Sequence, residues 1–173
     1  MTADYRVPAQ THLGHVHLKV SDLERSITFY RDVMGFDVVV RYGSQAAFLS
    51  AGGYHHHIGL NTWESTDGPP PAPGTTGLYH FAINYPERRD LAAALKRLIE
   101  MNWPIDGASD HGTHEALYLS DPDGIGIELA WDRDRSLWLA PDGSIVMKTA
   151  RLDLQDLLGE LERSPEVAKT PGV

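Results

Sequence analysis

Apolar and polar residues alternate from His15 to Val20: Val16, Leu18 and Val20 fall on one side of an extended chain, and His15, His17 and Lys19 on the other. This is the period of a half-buried strand, so its polar side lines something. Ser21-Asp22-Leu23-Glu24 then has the Ser-x-x-Glu form of a capping box, and Leu23, Ile27, Tyr30 and Met34 recur at helical spacing up to Gly35. Three short β-prone runs follow, FDVVVRY, AAFLS and HHHIGLN, separated by Gly43-Ser44 and Gly52-Gly53. Residues 10–64 are thus predicted to form a βαβββ module.

Residues 65–77, STDGPPPAPGTTG, can form neither a helix nor a central strand and are expected to be a connector. Beyond them the pattern restarts. HFAINY sets Phe81, Ile83 and Tyr85 against His80, Ala82 and Asn84, and Pro86 opens a helix carrying Leu91, Leu95, Leu98 and Ile99. Strands are predicted at about 104–106, 115–120 and 125–131, the last two joined by the turn Asp121-Pro122-Asp123-Gly124. Residues 78–134 therefore repeat βαβββ, and each module opens its first strand with a histidine on the polar face, His15 and His80. The fold expected is α+β, with two tandem βαβββ modules forming a curved eight-stranded mixed sheet around a metal-binding cavity. Residues 135–173 read as an appended strand and a helix through Leu152, Leu154, Leu157, Leu158 and Leu161, covering a sheet edge or pairing with another subunit. That leucine-rich helix suggests a homodimer, and the final residues are expected to be disordered.

Composition narrows the chemistry. With 173 residues and 42% hydrophobic content the chain can bury a substantial core. The formal charge of −9, with Lys and Arg scattered, argues against nucleic acid as a partner. No apolar run approaches the ~18 residues of a membrane span, and the N-terminal residues lack the apolar segment of a signal peptide, so a soluble cytoplasmic protein with no membrane partner is expected. Without cysteine, a metal would be held by His, Asp, Glu or Tyr. Histidine is the unusual entry in the composition: there are nine, six of them at His12, His15, His17, His55, His56 and His57.

In the last predicted strand, IGIELAW, Glu128 shares a face with Gly126 and Ala130 and is the only charged residue. A carboxylate on an inner face needs a cation, a metal or hydrogen-bond donors. If the two modules form one trough, His15, His80 and Glu128 converge, and two imidazoles with one carboxylate leave open positions on a metal, the arrangement of non-haem Fe(II) oxygenases.

Together LGHVHLKVSDLERSITFYRDVMGF, GLYHFAI and LYLSDPDGIGIEL resemble the vicinal-oxygen-chelate superfamily, which includes extradiol (catechol 2,3-) dioxygenases, glyoxalase I and the bleomycin and fosfomycin resistance proteins. The resemblance covers about residues 12–134 and is closest to catechol-2,3-dioxygenase-like proteins. It implies metal ligands at His15, His80 and Glu128, with Fe(II) first and Mn(II), Zn(II) or Ni(II) as the other candidates. GYHHHIGL resembles the double-histidine segment of extradiol enzymes, which implies an acid–base role for His57. Tyr118, ten residues before Glu128, matches the family tyrosine that hydrogen-bonds a substrate oxygen, and His111 lies near, but not at, the place of a further family histidine. The function implied is ring-cleaving or related oxygen chemistry on a small aromatic diol, although many extradiol enzymes carry two module pairs and this chain has one.

Other readings stay open at this level. His15 and His80 could be core histidines bonded to backbone; Glu128 could pair with Lys19 or Arg41; His55, His56 and His57 could be a surface run; Tyr118 could be a core tyrosine. A glyoxalase-type lyase or isomerase would want a carboxylate ligand on the fourth strand, where the first candidate after His57 is the late Glu64. A resistance-type protein would bind a small molecule without catalysis or a metal.

Overall fold

The structure, a computed structural model, describes residues 4–163. The chain divides into two compact units, Met1–Pro69 and Pro70–Val173. It is an α+β protein with two mixed sheets.

In the first unit β1 (Val16–Lys19), α1 (Leu23–Thr28), β2 (Asp37–Tyr42), β3 (Ala46–Ser50) and β4 (Ile58–Asn61) form a sheet of order β1-β4-β3-β2. β1 runs parallel to β4, and the remaining pairs are antiparallel. The alternation in β1 sorts as its pattern requires: Leu18 and Val20 are buried with Leu23, Ile27, Leu49, Ile58 and Leu60, while His17 and Lys19 are exposed. The helix cap falls one residue later than the Ser21 box. Asp22 is the extended residue before the helix, so its carboxylate accepts from the Arg25 N–H at 3.0 Å, and the Ser21 hydroxyl instead accepts from the Arg25 guanidinium at 2.8 Å. The helix also widens into a π turn over Phe29–Val33, with Met34 N–H bonded to the Phe29 carbonyl at 3.0 Å. Phe29 and Tyr30 are adjacent yet only 2% and 0% exposed, and the wider turn lets two consecutive rings enter the core.

The second unit contains β5 (Phe81–Asn84), α2 (Arg88–Glu100), β6 (Gly107–Asp110), β7 (His114–Ser120), β8 (Gly126–Asp132), β9 (Ala150–Arg151) and α3 (Leu154–Gly159), with sheet order β5-β8-β7-β6-β9. Here too the first strand lies parallel beside the last of its βαβββ run, β5 against β8. α2 starts two residues after Pro86, where the Glu87 N–H donates to the Asp90 carboxylate at 3.1 Å. Its buried face is Leu91, Ala92, Leu95 and Leu98, each buried leucine worth roughly 1.5–3 kcal/mol. Ile99, expected on that face, is exposed at the helix end. β6 begins later than the 104–106 expected, because Pro104 has no amide proton and bonding to β7 opens with the Asp106 N–H on the Tyr118 carbonyl at 2.8 Å.

The C-terminal segment covers the outer edge of β6: β9 pairs Arg151 with Ser109 and Ala150 with Asp110. α3 is shorter than its leucine pattern and packs on α2, burying Leu152 and Leu157. Arg88 ties the two helices to the sheet, donating to Glu115 at 2.8 Å, Glu160 at 2.6 Å and Asp156 at 2.8 Å, while Arg89 donates to the Glu160, Leu161 and Arg163 carbonyls where α3 ends. The last ten residues, for which disorder was expected, lie outside the described residues. Among the described residues no helix is long and apolar enough to cross a membrane.

Candidate metal and substrate site

In the first unit His15 stands immediately before β1, exposed, and gathers two members of the histidine run. Its ring centroid lies 4.3 Å from that of His56 and 6.4 Å from that of His55, and the Nδ1 atoms of His55 and His56 are 2.8 Å apart. Burial first, and then the neighbouring imidazoles His15 and His55, hold His56 below the usual histidine range, toward the neutral form a metal ligand requires. His17 lies over Gly59, its cross-strand partner, where even a methyl group would press on the imidazole, and between Phe48 and Trp63.

His57 turns elsewhere. β4 does not begin until Ile58, so the three histidines do not alternate as a strand would. The His57 Nδ1 accepts from the Ala51 N–H at 3.3 Å and lies 3.2 Å from the Ser50 hydroxyl, with Phe36 and Tyr54 flanking the ring. With Nδ1 accepting from a backbone amide, the neutral ring carries its proton on Nε2. His12 is exposed, with the Gln10 carbonyl 3.3 Å from its Nδ1.

The second unit brings His80, Tyr118 and Glu128 together. His80 stands immediately before β5, the position His15 has before β1, and its Nε2 is 2.9 Å from Glu128 Oε2. Glu128, in β8, is only 7% exposed. The ion pairs considered for it do not form: Lys19 pairs with Glu64 at 3.6 Å, and Arg41 with Glu24. Tyr118 of β7 is the direct cross-strand partner of Glu128. Burial, and then the Glu128 charge, push its phenol up to about 12, so it remains a proton donor at neutral pH.

The β7–β8 turn sets this register. The Asp121 carboxylate accepts from the Asp123 and Ile125 N–H groups at 2.9 and 2.8 Å, and Gly124 takes the positive φ of 79° that the turn needs. Gly126 sits where His80 comes closest to β8; a Cβ there would overlap the Tyr79 carbonyl oxygen and press on His80. Gly126→Ala is therefore expected to displace His80 and to lower the Tm, a change readable by thermal melting together with metal titration.

Two neighbours went unrecognised or underrated. His111 bonds the Tyr118 hydroxyl at 2.9 Å through Nε2 and the Lys148 carbonyl at 3.1 Å through Nδ1. Since a carbonyl only accepts, a neutral His111 donates from Nδ1 and receives the Tyr118 proton at Nε2. His114 was missed altogether: its Nε2 lies 3.1 Å from Glu128 Oε1. The parity that selects Tyr118 on β7 selects His114 as well, but the predicted strand began one residue too late to include it. Among the described residues no three His, Asp or Glu side chains form a closed ligand set as they stand. The second unit contributes the His80–Glu128 pair, whose 2.9 Å separation fits two ligand atoms that share a cation, since bonds of about 2.1 Å at a right angle put them ~3 Å apart.

Residues 12–129 match the model of the glyoxalase/bleomycin resistance protein/dioxygenase superfamily. The chain is 46% identical over 151 residues to the catechol-2,3-dioxygenase of Bacillus subtilis (strain 168), covering 87% of this chain and 52% of that protein. It is 31% identical over 121 residues to metallothiol transferase FosB of Staphylococcus epidermidis, covering 69% of this chain and 80% of that one. Among solved structures, a glyoxalase/dioxygenase from Nostoc punctiforme matches with a TM-score of 0.60 at 22% identity, over 75% of this chain and 99% of that chain, a likeness of fold. The chain thus spans about half the length of the catechol-2,3-dioxygenase it matches. A family match over residues 12–129, most of the sequence, means that this chain belongs to the glyoxalase/bleomycin resistance protein/dioxygenase superfamily.

Proposed function

We propose that the chain is a metal-dependent, extradiol dioxygenase-like oxidoreductase acting on a small aromatic diol, with His15, His80 and Glu128 as ligands of one divalent metal, Fe(II) first. The observation that carries this reading is the buried Glu128 carboxylate meeting His80 at 2.9 Å with the Tyr118 phenol directly across the strand pair. The similarity to a catechol-2,3-dioxygenase supports it. Two imidazoles and one carboxylate suit Fe(II) or Mn(II) better than a closed structural zinc site, because they leave positions open. When bound, the metal supplies a Lewis-acidic centre with room for a diol and for dioxygen.

The chain's own groups have separate tasks in this reading. Tyr118, its phenol pushed up to about 12, keeps its hydroxyl proton; in the structure it gives that proton to His111 Nε2, and on substrate binding it would turn it to a substrate oxygen. His57, whose Nδ1 accepts from the Ala51 amide, presents an Nε2–H donor to the substrate; for the acid–base role proposed for it, that amide bond would open so that Nδ1 takes the proton. The apolar and aromatic side chains Phe48 and Trp63 beside His17 offer stacking surface to a flat substrate.

The test is an oxygen-uptake assay on protein loaded anaerobically with Fe(II), over a panel of catechols. One O2 consumed per catechol is expected, lost in His15→Ala and retained in His12→Ala. Stoichiometrically loaded protein that consumes no O2 with any catechol would overturn the oxidoreductase reading. The second reading is a resistance-type small-molecule binder, since the family matched over residues 12–129 also includes bleomycin resistance proteins. Ligand binding that survives chelation, without O2 uptake, would support that alternative.

A further inference from the structure

We infer that His114 is a positioning residue that fixes which oxygen of Glu128 is presented to the metal; this rests on the ligand assignment proposed above. The two carboxylate oxygens have different partners. Oε2 faces His80 Nε2 at 2.9 Å, and Oε1 faces His114 Nε2 at 3.1 Å. An ionised carboxylate only accepts, so His114 donates from Nε2; the neutral ring must then accept at Nδ1, where the Thr113 hydroxyl lies 2.9 Å away. With the ring in that tautomer, Thr113 to His114 to Glu128 is a chain with one consistent direction of donation.

The sheet is built to allow this reach. In the β7–β8 register His114 is opposite Asp132 and Tyr118 is opposite Glu128, so the pair Ala116–Ala130 lies between the histidine and the carboxylate on the same face. Both are methyl side chains, 0% and 5% exposed, and two long side chains can meet over them; a larger residue at either position would stand between them. The Glu128 and His114 side chains are 9% and 18% exposed, so water competes little for the bond. With Oε1 held by His114, Oε2 is left beside His80, so a bound metal would be offered that one oxygen. A carboxylate that gives one oxygen rather than two would leave a metal more room for substrate.

The experiment is an anaerobic titration of metal-free protein with Co(II), following the visible d–d bands, with Tm measured on each variant. His114→Ala is expected to bind Co(II) about 10- to 100-fold more weakly and with altered bands, because Glu128 is free to chelate through both oxygens. His114→Gln, whose amide N–H can replace the Nε2 donor, is expected to recover affinity to within a few-fold and to restore the bands. If the alanine protein does not fold, His114→Asn, too short to span the gap, takes its place with the same expectation. Wild-type protein binding one Co(II) per chain, with the alanine or asparagine variant matching it in affinity and bands, would overturn the role of His114 while leaving the ligand assignment standing. Wild-type protein binding no Co(II) would overturn both.

Discussion

Glu128→Ala is expected to abolish oxygen uptake and to weaken Fe(II) binding by more than about 100-fold, the upper end of what is lost when only an outer partner of a ligand is removed. The reason is local. Glu128 is 7% exposed and is placed between His80 and His114, so its loss removes the carboxylate that both imidazoles contact. The fold should survive, because a methyl group at 128 would sit beside Ala130 on a strand whose other face is fixed by Ile127 and Leu129. Far-UV circular dichroism on the variant, alongside calorimetric Fe(II) titration, separates the two effects. A variant that unfolds would contradict this account of the strand, and one that binds Fe(II) normally would contradict the ligand role.

Glu115→Leu is expected to have the opposite profile, a large loss of stability without any direct contact with the metal ligands. Glu115 is 4% exposed and sits between two guanidinium groups, Arg88 Nε at 2.8 Å and an Arg133 terminal nitrogen at 2.6 Å. Arg88 continues to Asp156 and Glu160 on α3, and Arg133 to Asp110 on β6, so one carboxylate joins β7, α2, β6 and the C-terminal helix. Removing it leaves two mostly buried cations facing each other across an apolar side chain. Breaking a buried pair from one side costs about 3–5 kcal/mol, which for a chain of this size corresponds to a Tm lower by roughly 6–20 °C. A double variant, Glu115→Leu with Arg88→Met, is expected to recover part of that loss, since one of the two guanidinium groups facing position 115 is removed while Asp156 and Glu160 keep Arg163 as a partner. Thermal melting checks both, and a single variant melting within a degree or two of wild type would contradict the picture.

Much of the fold was legible because its elements obey simple periods. β1 could be read from six residues, and the restart of the same pattern after residue 77 pointed to the second run. The departures occur where packing overrides period. The π turn at Phe29–Val33 has no signature at 3.6 residues per turn, because it exists to bury two adjacent rings. The histidine run looked like the start of a strand, but Gly52 and Gly53 turn the chain with positive φ just before it, and regular pairing waits for Ile58.

The site was legible to a similar degree and for similar reasons. Glu128 stood out as a charge on an apolar strand, and its burial against His80 is the contact that such a charge needs. His114 was hidden by a boundary error of one residue, although the β7 parity that brought out Tyr118 applies equally to it. The importance of Gly126, Ala116 and Ala130 could not be read from their own chemistry. What matters at these positions is the room they leave for His80, His114 and Glu128, and that is a property of register.

The most direct test of the central claim is an anaerobic Fe(II) titration of metal-free wild-type protein beside His15→Ala. His80 and Glu128 already adjoin within one unit, whereas His15 belongs to the other, so its substitution asks whether both units contribute to one site. One Fe(II) per chain in the wild type, with affinity lost in His15→Ala while His12→Ala binds normally, is the result expected. Undiminished binding by His15→Ala, or a wild-type protein that takes up no Fe(II), would contradict it.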